Sequence, residues 1–347
     1  MNKKKFLVYA FLVMTAQSLC AQQTKKWYDD IRFSGYGMVQ YQASDQENAK
    51  SNSFNLRLAR LSLEGRAHTD FFWKVQMQIN GNTYDPDKSK TDIRLVDLFG
   101  EWQKFEFFKV KAGQFKRPFT FENPMHPVTQ GFMSYSQPVT KLAGFSDRTG
   151  EQGSNGRDIG VQVQGDFLKN AAGRNLLHYQ VGIFNGEGIN QKDRDNRKDF
   201  IGGLWVVPVK GLRIGAFGWT GTRDAVGEKN RYALSAEYAS NDWTFRSEYI
   251  HSQGWDASKT SDKADGFYAL AIAPIIKSKC HVKARYDLYR DRAEWGTSKT
   301  FYEIGADYVF NKNLQLNVEY ARVNDRTIAD PDKHNYNLFD AELDIIF

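Results

Sequence analysis

Phe339-Asp340-Ala341-Glu342-Leu343-Asp344-Ile345-Ile346-Phe347 is the stretch that decides the fold. Phe339, Ala341, Leu343, Ile345 and Phe347 fall on one apolar face, with Asp340, Glu342 and Asp344 opposite. Successive side chains of a strand point to opposite faces, so this period of two marks a strand between two unlike environments. The same pattern recurs upstream. Ile31, Phe33, Gly35, Gly37, Val39 and Tyr41 oppose Arg32, Ser34, Met38 and Gln40. Trp73, Val75, Met77 and Ile79 oppose Lys74, Gln76, Gln78 and Asn80. Val282, Ala284, Tyr286 and Leu288 oppose His281, Lys283, Arg285 and Asp287.

These segments run about ten to thirteen residues, the length a tilted strand needs to cross a bilayer, whereas strands of soluble sandwiches average about five or six. Sixteen strands are expected, starting near residues 31, 54, 71, 91, 105, 156, 176, 198, 211, 228, 242, 263, 278, 298, 313 and 335. Two places break phase. Phe54, Leu56 and Leu58 are even but Leu61 and Leu63 odd, which predicts a bulge near Ala59, and Ile93 to Trp102 is ambiguous. Tight turns are expected at 69–70, 103–104, 209–210, 241 and 311–312, and long polar loops at 43–53, 81–90, 186–197, 254–262 and 324–334. Short turns alternating with long loops, and an even strand number, imply an all-β transmembrane antiparallel barrel over 31–347, with no exposed sheet edge.

Lys3, Lys4 and Lys5, the apolar run Phe6 to Met14 and the small residues up to Ala21 read as a secretory signal peptide over 1–21, followed by a periplasmic segment over 22–30. Removing three of the 47 Lys+Arg leaves 44 against 41 Asp+Glu, so the net charge falls from +6 to about +3 and gives little footing for nucleic acid. The expected location is the outer membrane of a Gram-negative cell. A mean hydropathy of −0.60 would ordinarily argue for a soluble chain. A barrel escapes that argument, because polar inner residues mask the apolar outer face in the average. Cys280 alone remains after residue 21, so no intrachain disulfide is expected.

One connection differs from the rest: roughly forty residues over 115–155, holding Pro118, Pro124, Pro127 and Pro138. Loops of this length are usually functional, and in a sixteen-stranded barrel one folded inward would constrict an aqueous lumen. Here the chain resembles the phosphate-selective porins O and P. The similar segments are Lys109-Val-Lys-Ala-Gly-Gln-Phe-Lys116, Pro118-Phe119 with Glu122, Gly156-Arg-Asp-Ile-Gly160-Val-Gln-Val-Gln-Gly165, Tyr179-Gln-Val-Gly-Ile-Phe-Asn185-Gly186 and Phe339 to Phe347. The similarity extends over essentially the whole chain after residue 21. It implies a sixteen-stranded, often trimeric porin in which lysines and arginines guide anions inward, with Lys109, Lys111, Lys116 and Arg117 as the positions that could do so. A terminal Phe347 resembles the signal by which barrel-assembly machinery recognises such chains.

Read by face alone, the inner wall is basic early, at Arg32, Arg60, Arg66, Lys74, Lys109 and Lys111, and acidic late, at Glu303, Asp307, Glu319, Asp340, Glu342 and Asp344. A polarised wall suits small anions or polar nutrients, while rings of one sign give ion selectivity. The long connection itself is near neutral, with Lys116, Arg117, Lys141, Arg148 and Arg157 against Glu122, Asp147, Glu151 and Asp158, a departure from strict phosphate selectivity. The expectation is a passive porin in outer-membrane lipid, anion- or phosphate-preferring and trimeric as the resemblance implies, with no cofactor, metal or nucleic-acid partner. Two other classes are alternatives. A barrel plugged by the long connection would serve binding or adhesion. An outer-membrane hydrolase lacks a usable triad: His251 and Ser252 point to opposite faces, and Ser134 and Ser136 near His126 carry no nucleophile-elbow pattern. Asp193, Asp195 and Asn196 lack the glycine and distal Glu of a calcium loop.

Overall fold

In the computed structural model, which describes residues 30–80, 93–150, 154–224 and 226–347, the alternation resolves into one closed antiparallel barrel. The segments 1–21, 22–29 and 81–90 lie outside the described residues. Sixteen strands follow one another around the ring, and the sixteenth pairs with the first. They are β1 (Arg32–Ser44), β2 (Ser51–His68), β3 (Phe71–Gln78), β4 (Arg94–Phe105), β5 (Phe108–Lys116), β6 (Arg157–Lys169), β7 (Asn175–Phe184) and β8 (Asp199–Val206). The second half comprises β9 (Leu212–Arg223), β10 (Gly227–Ser240), β11 (Trp243–Gln253), β12 (Lys263–Ile276), β13 (Cys280–Arg290), β14 (Ser298–Asn311), β15 (Leu314–Asp325) and β16 (Asn335–Ile346). Every expected strand start falls within three residues of the observed one.

Closure is made at Phe347, whose N–H and carbonyl exchange hydrogen bonds with Gly35 (3.0 and 2.7 Å). A ring without edges satisfies every ladder group internally, as a lipid environment demands. The outer face is apolar: Phe54, Leu56, Leu234 and Ile304 are exposed, while the neighbouring Arg57, Ser235 and Glu303 are buried. Among the described residues no helix is long and apolar enough to cross a membrane.

Both phase breaks are bulges. Met38 faces Leu58 but Val39 faces Leu56, so Arg57 is the extra residue, two positions before the expected site. Gln76 faces Asp97 but Met77 faces Leu95, which makes Val96 the extra residue and explains the ambiguous stretch. One turn is displaced. The β4–β5 connection is Glu106-Phe107, not 103–104: the ladder shifts register between Trp102 and Phe105 and resumes at Phe105–Phe108, with Phe105 and Phe107 stacked at 5.4 Å. All seven connections at that end are short, whereas the opposite end carries 45–50, 117–156, 185–198, 254–262, 291–297 and 326–334.

Candidate functional site

The connection 117–156 packs against inner-face side chains far around the ring from its own root. Phe119 and Phe121 meet Phe217 and Trp219 of β9 edge-on at 5.4–6.4 Å, and Phe121 also meets Trp205 of β8 at 5.6 Å. All of these rings except Trp205 are almost fully buried, with Val139 and Leu142 of α1 (Gln137–Leu142) in the same cluster. Ser136 caps α1, its hydroxyl accepting from Val139 N–H. Gly266 of β12 lets the helix dock, since a Cβ there would lie 2.6 Å from Pro138 Cγ.

Inner-face charges then hold the backbone of this connection. Glu248 of β11 accepts from Phe121 N–H (2.9 Å) and Glu122 N–H (2.7 Å). Asp287 of β13 accepts from Gln137 N–H (2.9 Å), and Glu319 of β15 from Met133 N–H (2.8 Å). Lys283 and Arg285 donate to the carbonyls of Gly131 (2.9 Å) and Ser134 (2.8 Å). Arg231 of β10 forms a buried two-pronged pair with Asp147 (2.6 and 2.8 Å). Charge-assisted bonds of this kind are about twice as strong as neutral ones.

A cavity of about 560 Å³ remains between this connection and the β2–β4 wall. Its lining includes Arg57, Arg60, Arg94, Lys141 and Arg157, and among the described residues that line it there is no carboxylate. Arg60 donates to Gln78 Oε1 (3.1–3.2 Å) and the Tyr36 hydroxyl (3.1 Å), partners that leave its charge uncancelled. Arg57 and Arg157 reach Glu342 (3.0 Å) and Asp97 (2.6 Å).

Of the basic residues named from sequence as wall or anion-guiding positions, Arg60 alone lines this cavity; Lys141 and Arg157, counted there only in the charge of the long connection, line it too. Lys109 lies 3.4 Å from Asp166, Lys111 3.6 Å from Glu101, and Lys74 3.9 Å from Glu64. Arg66 binds Thr69 O and Gln103 near the short-turn end, where Arg32 is also exposed. Lys116 and Arg117 are held away from the cavity. Lys116 Nζ donates to Met125 O (2.5 Å) and Tyr135 (2.7 Å), and Arg117 is fully buried on Asp158 (3.0 Å) and above Trp219. The late acidic wall is largely neutralised: Glu303 meets Arg285 (2.5 Å), Asp307 His281 (2.8 Å), Glu319 Lys283 (2.6 Å) and Glu342 Arg57, while Asp340 accepts from Gln40 and Gln42. Asp193 is occupied by the N–H groups of Asp195 and Asn196 and by Lys198.

The near-neutral sum over the long connection concealed a spatial separation. Asp147 and Asp158 are buried in ion pairs and Glu122 on the Ser136 hydroxyl (2.5 Å), whereas Lys141 and Arg157 face the cavity. Arg57 and Arg94 went unrecognised because they stand at or beside the two bulges, where parity fails as a guide to facing.

A closed ring of sixteen antiparallel strands with an apolar outer face and a charged interior is the architecture of an outer-membrane β-barrel. Residues 32–199 match the model of the phosphate-selective porin O and P family, so the family resemblance holds over that span; the Phe339–Phe347 segment lies beyond it. Curated proteins show no match to the chain. Among solved structures it is similar to the anion-selective porin from Comamonas acidovorans, with TM-score 0.69, 12% identity, and 91% of this chain and 99% of that one covered. It is also similar to Salmonella typhi OmpF in complex with daunomycin (0.67, 12%, 91% and 97%) and to the trimer form of Vibrio cholerae OmpT (0.57, 11%, 91% and 99%).

Proposed function

We propose that the protein is a passive diffusion channel for small hydrophilic solutes that prefers anions, phosphate among them, with 117–156 folded into the lumen as its constriction. The observation that carries this reading is one cavity lined by Arg57, Arg60, Arg94, Lys141 and Arg157 and, among the described residues, by no carboxylate. The Glu342 and Asp97 partners of Arg57 and Arg157 stand outside the lining. A cluster of one sign in a low-dielectric constriction raises the local concentration of the opposite ion. Lys109, Lys111, Lys74, Arg66 and Arg32, nearer the short-turn end, extend the basic path as a vestibule, and the paired acids Glu303, Asp307, Glu319, Asp340 and Glu342 brace the opposite wall. Export by the 1–21 signal, recognition of Phe347 by the assembly machinery and a homotrimer belong to the same proposal, the last supported by the trimer form of a structural neighbour.

The test is single-channel recording of purified protein in planar bilayers, with the reversal potential under a salt gradient. Stable steps with an anion-biased potential are expected. Arg60→Glu should lower the anion/cation permeability ratio by about tenfold, or about 1.4 kcal/mol. A folded barrel that gives no steps would overturn the channel and favour the plugged, binding role.

A further inference from the structure

Inorganic oxyanions are strongly hydrated and need donors on all sides once they leave water. This cavity offers donors only in part, with aromatic faces between them. Besides the arginines, the same cavity is lined by Tyr135 and Phe145 from the connection and Phe301 from β14. Tyr135 and Phe145 pack as a pair with ring centroids 4.5 Å apart. Lys116 Nζ sits against both, 4.9 and 5.9 Å from their centroids, so buried positive charge backs the aromatic side. Phe301 is fixed by packing on the Ala321, Val323 and Tyr336 cluster and by Lys299 Nζ at 5.6 Å. Guanidinium groups are weakly hydrated, bind carboxylates with two parallel bonds and lie flat on aromatic planes. The volume of about 560 Å³ falls within the ~300–1,000 Å³ of sites that enclose organic ligands.

We propose that the constriction selects organic anions with an aromatic or apolar body, such as aryl carboxylates, over compact anions of equal charge. The carboxylate would engage the Arg60 side while the body lies against Phe301 and the Tyr135–Phe145 pair. This rests on the anion-channel reading above and specifies its substrate class.

The experiment measures bi-ionic reversal potentials of the full-length protein in planar bilayers near neutral pH, with chloride on one side and acetate, benzoate or phosphate on the other. Free diffusion favours the smaller acetate. A benzoate/acetate permeability ratio above one is therefore expected, together with block of the chloride current by benzoate at concentrations where acetate does not block. Phe301→Ser should lower that ratio about threefold, the scale of one lost aromatic contact. Should this variant fail to fold, Phe145→Ser and the wild-type block give the same information. Anion selectivity with a benzoate/acetate ratio at or below that of free diffusion, and no block, would overturn the substrate class and leave the channel standing. Cation selectivity or silence would overturn both.

Discussion

The two halves of this ring use buried charge in opposite ways. On β10–β15, Arg231, Glu248, Lys283, Arg285, Asp287 and Glu319 are turned onto the long connection, each bound to its backbone or to Asp147. On β2–β4, Arg57, Arg60 and Arg94 border the cavity instead. The first half is a docking surface, where these six charges hold the connection and apolar rings fill the remaining space. The second keeps positive charge beside open volume. The same residue type therefore holds the connection or borders open volume according to whether the connection covers it.

The largest effect expected from this contrast is on stability. Arg231→Leu leaves the Asp147 carboxylate buried without its partner in a pair whose side chains are both fully buried, and should cost about 3–5 kcal/mol. Arg60→Leu removes a charge whose partners are a hydroxyl and an amide beside a cavity that water can enter, and should cost under about 1 kcal/mol. The heat-modifiability midpoint in detergent measures both. Equal losses would erase the distinction between the halves.

A smaller effect isolates the docking itself. Glu248 accepts Phe121 N–H, Glu122 N–H, the Ser235 hydroxyl (2.5 Å) and the Tyr268 hydroxyl (2.7 Å). Glu248→Gln puts an N–H₂ group where an acceptor stood and leaves buried donors unmet, at about 1–3 kcal/mol. The expected signature is increased open-channel noise with the anion preference retained, because the arginine wall is untouched. Loss of selectivity with no change in noise would move the selectivity determinants to the docking side.

How much of this was legible in the sequence depends on what physics imposes on each residue. A membrane strand must alternate, so the ring and its strand starts could be read directly, and even the breaks in alternation marked real bulges at Arg57 and Val96. The cavity could not be read in the same way. Arg57 is itself a bulge residue, Arg94 lies in the stretch distorted by Val96, and Lys141 and Arg157 belong to a connection whose facing no period governs. Lys116 and Arg117 had the right charge and the right neighbourhood, yet Tyr135 and Asp158 bury them. Sequence periodicity specifies a wall; it does not specify what leans against it.

His126, on the connection but facing the arginine side, sharpens the comparison by the smallest expected effect. Its ring meets Tyr36 of β1 edge-on at 4.6 Å, with Lys116, Lys74, Arg60 and Arg157 as the surrounding charges. Enclosure by protein, followed by repulsion from Lys116 and the other three cations, holds its pKa down to about 4. The imidazole is therefore neutral in the docked state at neutral pH, whereas a free histidine titrates near 6.5. A base whose folded pKa is depressed contributes its full stabilisation above the unfolded value, and that stabilisation is lost as pH falls from about 6.5 toward 4. His126 is solvent-exposed as a residue, which keeps the effect modest. Open-channel noise and protease cleavage within 117–156 should rise gradually through that window, and His126→Gln, which cannot titrate, should flatten the rise. If the variant and the wild type respond identically to acid, the response belongs to the carboxylates of the docking half, and His126 has no part in it.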